Sequence, residues 1–96
     1  MIKEDMVNKI SNDTGLRRVV VALVIDQILK NITSALESGD KVQFAGFGTF
    51  ETVKRAPRVG HNPHTRERVP IPARIVPVFT VGKSLKEAVT KECNDT

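Results

Sequence analysis

The sequence lacks the residues that build several common classes of small protein. Cys93 is the only cysteine, so no disulfide can form within the chain, and a lone cysteine fits a reducing compartment. The two histidines, His61 and His64, have no cysteine or second histidine pair near them, so no metal cluster is predicted. No apolar stretch is expected to span a membrane, and the N-terminus has no signal-peptide pattern. We expect a soluble, intracellular protein without a metal or other cofactor.

Residue patterns typical of enzymes are also missing. No nucleophile–base pair, carboxylate pair or phosphate loop is visible, and Ser84 after Gly82-Lys83 indicates a helix start, not a Walker motif. Neither an enzymatic reaction nor a small-molecule substrate is predicted. Tryptophan and tyrosine are absent, and the aromatic residues are Phe44, Phe47, Phe50 and Phe79. We expect these rings to pack in a core, because a base-stacking platform places exposed aromatics among basic residues.

The positive charge is concentrated in one segment. Of the 15 Lys and Arg residues and 11 Asp and Glu residues, residues 52–75 hold six bases and one acid, a net charge of +5. The rest of the chain holds nine bases and ten acids, a net charge of −1. A basic element on an otherwise balanced domain is typical of polyanion binding. The alternative is a solvated charged hairpin without a partner.

Two extended runs flank this basic segment. Val42 to Phe50 is an apolar run interrupted by glycines, and Val69 to Thr80 is rich in β-branched residues. All five prolines lie between residues 57 and 77, where edges, bulges and turns accept a residue that cannot donate to a β-ladder. We predict one domain with a β-ribbon arm at about residues 52–75, which turns near Asn62-Pro63. Residues 1–51 and 76–96 would form the body.

Helical periodicity appears on both sides of the ribbon. Helices are predicted from Met1 to Asp13, from Arg17 to Ser38 and after Gly82, with Gly39 in a left-handed conformation at the end of the second. Residues 19–25 are apolar all round, which indicates burial on two sides and therefore a second copy of the chain. A strand is the weaker alternative. About 75 residues outside the arm make a small core that needs such support. Residues 91–96 are expected to fray.

Several motifs in this arrangement resemble those of the HU/IHF family of bacterial DNA-bending proteins. G-F-G-T-F at residues 46–50 is followed at the family's spacing by Arg55, Arg58, Gly60, Asn62-Pro63 and Thr65. I-P-A-R at 71–74, V-P-V-F at 76–79 and G-K-S-L-K-E-A-V at 82–89 continue the match. The resemblance covers nearly the whole chain and has no gap from Asp26 onward.

The resemblance implies an α+β fold and an assembly. The expected structure is an intertwined dimer with an α-helical base, a three-stranded antiparallel sheet per subunit and a protruding β-ribbon arm. Phe47, Phe50 and Phe79 would form the dimer core. Lys3 and Asp26 match a pair that forms a surface salt bridge in some members. Such proteins are cytoplasmic and associated with the nucleoid.

The resemblance also implies a function. The expected protein is an architectural homodimer that binds double-stranded DNA through the minor groove with little sequence preference. It would bend DNA by intercalating Pro63, compact the chromosome and prefer nicked, gapped or bent duplexes. The alternatives are one subunit of a sequence-preferring IHF-type heterodimer, or an RNA- or protein-interaction module. The DNA-binding residues would be Lys54, Arg55, Arg58, His61, Asn62, Pro63, Arg66, Arg68, Arg74, Lys83 and Lys86.

Three residues depart from the family pattern. His61 stands where arginine is usual, so the charge at the arm tip depends on pH. Arg66 replaces a usual glycine, which puts the geometry of the tip turn in question. Arg17 replaces the usual Ser or Thr cap of the second helix, so Asp13 or Thr14 is expected to cap that helix, or its start to fray.

Overall fold

The computed structural model describes residues 1–92 and contains three helices and five strands in that part of the chain. A three-stranded antiparallel sheet has the order β1 (Val42–Phe44), β2 (Gly48–Arg55) and β5 (Arg74–Val81). A separate two-stranded sheet consists of β3 (Arg58–His61) and β4 (Arg68–Ile71). The predicted α+β class and three-stranded sheet are confirmed. Cys93 and residues 94–96 of the predicted frayed end lie outside the described residues. The helices are α1 Lys3–Thr14, α2 Arg18–Glu37 and α3 Lys83–Val89.

The ends of α2 show one correct and one wrong prediction. Gly39 follows the helix with φ 82°, the predicted left-handed conformation. Arg17 is the residue before the first turn, and its side chain makes no capping hydrogen bond. The prediction that Asp13 or Thr14 caps α2 is wrong, because both residues belong to α1. There the Thr14 hydroxyl donates to the carbonyl oxygen of Ile10 at 2.7 Å, so it serves the helix it belongs to.

The apolar length of α2 corrects another expectation. Within the described residues, this 20-residue helix is long and apolar enough to cross a membrane by length and composition alone. The expectation that no stretch reaches that length is therefore wrong. Core helices of soluble proteins meet the same two criteria. Asp26, in the middle of α2, forms the expected ion pair with Lys3, and both side chains are about half exposed.

The described chain has almost no closed core of its own. Val7 and Val21 are its only buried hydrophobic side chains, whereas Val19 and Leu23 on α2 are 64% and 61% exposed. The accessible surface is 8420 Å², against about 5,500 Å² for a compact monomer of 10.6 kDa. The radius of gyration is 19.2 Å, against about 12.5 Å for a compact domain. A single copy therefore leaves much apolar surface uncovered.

The phenylalanines pack across β2 and β5. Phe50 lies opposite Phe79, and their ring centroids are 4.7 Å apart. The Phe79 ring also lies over Gly48, where an added Cβ would stand 2.3 Å from the ring and 2.7 Å from the carbonyl oxygen of Thr80. Only glycine fits this close approach. Phe47 and Phe79 are still 51% and 40% exposed, so one chain does not complete the aromatic cluster.

Candidate nucleic-acid interface

The ribbon consists of two antiparallel ladders in one continuous register. The β2–β5 ladder runs out to the pair Arg55↔Arg74, and the β3–β4 ladder continues from Arg58↔Ile71. Two residues separate the ladders on each strand, so the pairing resumes without a shift. Residues 54–74 therefore form one elongated hairpin that carries the predicted basic residues. Where this arm ends and the body begins stays a prediction.

The gap between the ladders has a chemical cause. The common register places Pro57 opposite Pro72, and neither residue has an N–H to donate. A concave surface lies at this gap, and Arg55, Arg58 and Arg74 all line it. The structure thus brings together three of the arginines that the sequence nominated. It also adds apolar lining residues that the sequence reading missed, although the opposed prolines could have indicated them: Ile71, Pro72 and Val76.

The basic side chains of the arm form no ion pair within the described residues. Within residues 1–92 the ion pairs are Lys3–Asp26 and Lys9–Asp13, and both lie on helices. No carboxylate of the described chain therefore neutralises a basic side chain of the arm. Cations in this state can meet phosphates without first breaking a protein ion pair. The exposed basic residues of the arm are Lys54, Arg55, Arg58, Arg66, Arg68 and Arg74.

The tip of the arm is a hydrogen-bonded turn. The Asn62 N–H donates to the carbonyl oxygen of Glu67 at 2.9 Å, and the Arg66 N–H donates to the carbonyl oxygen of Asn62 at 2.7 Å. The Asn62 side-chain oxygen accepts from the His64 N–H at 2.9 Å, so this side chain serves the turn. Pro63 lies exposed in the same turn. The arrangement presents the proline ring at the far end of the ribbon.

The tip turn forms although Arg66 replaces the usual glycine. Its φ of 59° makes it the one non-glycine residue with a positive φ in the described chain. The turn therefore forms with the left-handed backbone that glycine adopts without strain. His61 is paired with Arg68 across the hairpin, so both lie within a few residues of this turn.

The last two nominated cations lie apart from the arm. Lys83 and Lys86 are exposed on α3, which follows β5 in the chain. The N-terminus of α3 is joined to the β1–β2 connection, because the Leu85 N–H donates to the carbonyl oxygen of Gly46 at 3.2 Å. These lysines therefore belong to the body, at the end of β5 away from the tip. The basic residues form two groups, one along the arm and one on α3.

Known sequences match almost the whole chain. The family model described as "Bacterial DNA-binding protein" matches residues 1–90. The DNA-binding protein HU of Thermotoga maritima is 46% identical over 89 residues, which cover 93% of this chain and 99% of that protein. The DNA-binding protein HU of Geobacillus stearothermophilus is 45% identical over 89 residues, with the same coverage of 93% and 99%.

Solved structures match the fold as well as the sequence. An Anabaena HU–DNA cocrystal structure has a TM-score of 0.90 and 37% identity, and the match covers 96% of this chain and 100% of that chain. HU from Thermotoga maritima has a TM-score of 0.68 and 33% identity, with coverage of 94% and 100%. Helices, sheet and basic hairpin are therefore all included in the similarity.

Proposed function

This chain belongs to the HU family of bacterial DNA-binding proteins, and from that premise we propose that it is a homodimer that binds and bends double-stranded DNA. The dimer binds through the minor groove and has little sequence preference. Members of this family are architectural DNA-binding proteins and not enzymes. The proposal concerns the groove, the bending and the assembly. Association with the nucleoid would follow from binding chromosomal DNA.

The observation that carries the proposal is the concave surface lined by Arg55, Arg58 and Arg74. Three arginines line it, and none has a carboxylate partner in the described chain. Each cation that meets a phosphate releases a condensed counter-ion, and this gives affinity without regard to sequence. The Asn62 side-chain oxygen is used by the turn, so this oxygen is not available to read a base edge. We therefore expect weak sequence preference.

Bending is assigned to Pro63. The residue is exposed in the terminal turn of the ribbon. Its ring is rigid and apolar and has no N–H, so it can enter a base step without leaving a donor unsatisfied. Unstacking costs a few kcal/mol per step, and the bent duplex recovers that cost by touching more protein. Nicked or gapped DNA, where stacking is already broken, should bind more tightly than intact DNA.

The dimer is proposed from the surface that one chain leaves open. The accessible surface of 8420 Å² exceeds that of a compact monomer by about 2,900 Å². Part of the excess comes from the arm, and part from the exposed apolar face of α2. Two copies together carry an excess of about 5,800 Å², and obligate dimers bury about 2,000–5,000 Å² in total, so an interface of that class would cover much of it. Phe47, Phe50 and Phe79 would complete their packing in that interface.

The rest of the proposed DNA surface follows the two basic groups. Lys54 and Arg68 extend the cluster along the ribbon, and His61, Asn62 and Arg66 surround the proline at the tip. Lys83 and Lys86 on α3 would contact the backbone where the duplex crosses the body. Contacts at the body and at both arms would require the duplex to curve toward the protein.

Competition binding tests this function. A labelled random-sequence duplex is titrated with the protein, and unlabelled intact duplex, nicked duplex or RNA hairpin of the same length is then added. We expect nicked DNA to compete best, intact DNA of any sequence next and RNA least. RNA competing as well as DNA would contradict the proposal. A strong preference for one duplex sequence would instead favour the IHF-type alternative.

A further inference from the structure

The backbone of Arg66 is unusual for its residue type. Its φ of 59° lies in the left-handed region, where the Cβ of an L-residue crowds the following carbonyl oxygen. Glycine adopts this conformation routinely, and asparagine and aspartate do so occasionally. An arginine held there is strained, and strained backbone persists only where the surrounding structure imposes it.

The hydrogen bonds of the turn do not require an arginine. The Arg66 N–H donates to the carbonyl oxygen of Asn62, and the Glu67 N–H donates to the hydroxyl oxygen of Thr65 at 3.3 Å. Neither bond uses the Arg66 side chain. A glycine at this position could make the same backbone bond without strain. What the arginine adds to the turn is therefore its side chain.

That side chain is an exposed cation in the same turn as Pro63. Arg66 is exposed, and no carboxylate within residues 1–92 forms an ion pair with it. It lies three residues after Pro63 in the same turn, beyond the last ladder pair His61↔Arg68. A proline that enters a base step brings the rest of its turn close to the phosphates that flank the step. Phosphate contacts of this kind fix the register and orientation of a protein on the duplex.

We infer that Arg66 contacts a DNA phosphate next to the base step that Pro63 enters. The strained left-handed backbone is retained because it holds this cation at the arm tip. This role rests on the DNA-binding function proposed above. The contacted duplex then extends past the proline, not only along the shaft of the ribbon. The expected ligand chemistry is a backbone phosphodiester, without regard to the base.

Two substitutions test whether the positive charge of Arg66 matters. Arg66→Gly removes the cation and relieves the strain, whereas Arg66→Lys keeps a cation on the same backbone. Lys30→Gln, on the exposed surface of α2 away from the arm, is a control for the loss of any one positive charge. Affinity for a random-sequence duplex is measured between 50 and 200 mM salt. Thermal melting of each variant shows that the fold is intact, and Arg66→Gly should melt at the parent temperature or higher.

The salt dependence carries the prediction. Each lost phosphate contact flattens the slope of log K against log salt by about 0.9, so two arms give a change of about 1.8 for Arg66→Gly. The affinity advantage of the parent over this variant should therefore narrow about twelvefold between 50 and 200 mM salt. Arg66→Lys and Lys30→Gln should keep the slope of the parent.

Three results would overturn the role of Arg66. The first is a parent-like slope for Arg66→Gly, and the second is an equal loss in Arg66→Lys, which would show that a positive charge at this position does not cause the effect. The third is an equal loss in Lys30→Gln, which would assign it to net charge. A parent that fails to bind duplex DNA would instead refute the proposed function itself, so the two failures are distinguishable.

Discussion

Removal of Arg55 and Arg58 together tests the electrostatic core of the proposed interface. Both residues line the concave surface at the gap between the ladders, and neither has an ion-pair partner in the described chain. The Arg55→Ala, Arg58→Ala variant removes four cations from the two arms of a dimer. At about 0.9 per phosphate, the slope of log K against log salt should flatten by about 3.6.

The parent slope sets the scale of this change. If each arm and its neighbouring part of the body neutralise about 3–5 phosphates, the slope of the dimer is roughly −5 to −9. The double variant should then lie between about −1 and −5. Over the fourfold range from 50 to 200 mM salt, the affinity advantage of the parent narrows roughly 150-fold. The loss should be the same for unrelated duplex sequences, because phosphates carry no sequence information.

The assay is fluorescence anisotropy on two labelled duplexes of unrelated sequence across a salt series. Lys30→Ala, Lys41→Ala is the matched control, since it removes the same number of charges from exposed positions outside the arm. A double variant with the slope of the parent would refute the reasoning. So would a control that flattens the slope as much as the arm variant, because bulk charge would then explain the effect.

Two further predictions concern the assembly and the packing of the sheet. Sedimentation at micromolar concentration should give about twice the chain mass of 10.6 kDa. Leu23→Asp, on the exposed apolar face of α2, should abolish the dimer. A folded monomeric parent would contradict the proposed assembly. Gly48→Ala should cost roughly 2 kcal/mol and lower the melting temperature by about 10 °C, because its Cβ meets Phe79 and a backbone oxygen. Gly39→Ala, where only the positive φ opposes a side chain, should cost about 1 kcal/mol of stability. Equal losses of stability in the Gly39 and Gly48 variants would show that contact with the Phe79 ring is not the cause.

The elements with a strong local pattern were predictable from the sequence. The apolar period of α2 continues to Leu36, and Gly39 marks its end, so the helix could be placed from residue types alone. Alternating and proline-bearing runs likewise indicated the ribbon. The capping of α2 was predicted wrongly because the break between the helices falls later than expected. Thr14 is still helical and bonds Ile10, which leaves no side-chain cap for the next helix.

The shape of the candidate interface depended on information that no single stretch of sequence holds. Arg55 and Arg74 are 19 positions apart, and they become neighbours only through the strand register. The same register opposes Pro57 and Pro72 and opens the concave surface between the ladders. The backbone conformation of Arg66 could not be predicted for another reason. Arginine normally has a negative φ, whereas Arg66 has a φ of 59°.

The most direct test of the central claim is end-to-end energy transfer on a duplex labelled at both ends, measured at matched occupancy for the parent and for Pro63→Ala. This substitution leaves every cation in place, so affinity for intact duplex should change little. The account predicts that the parent brings the DNA ends together and that the variant does so much less, with a smaller preference for nicked DNA. Equal energy transfer in the two proteins would contradict it, and so would a parent that saturates the duplex without moving its ends.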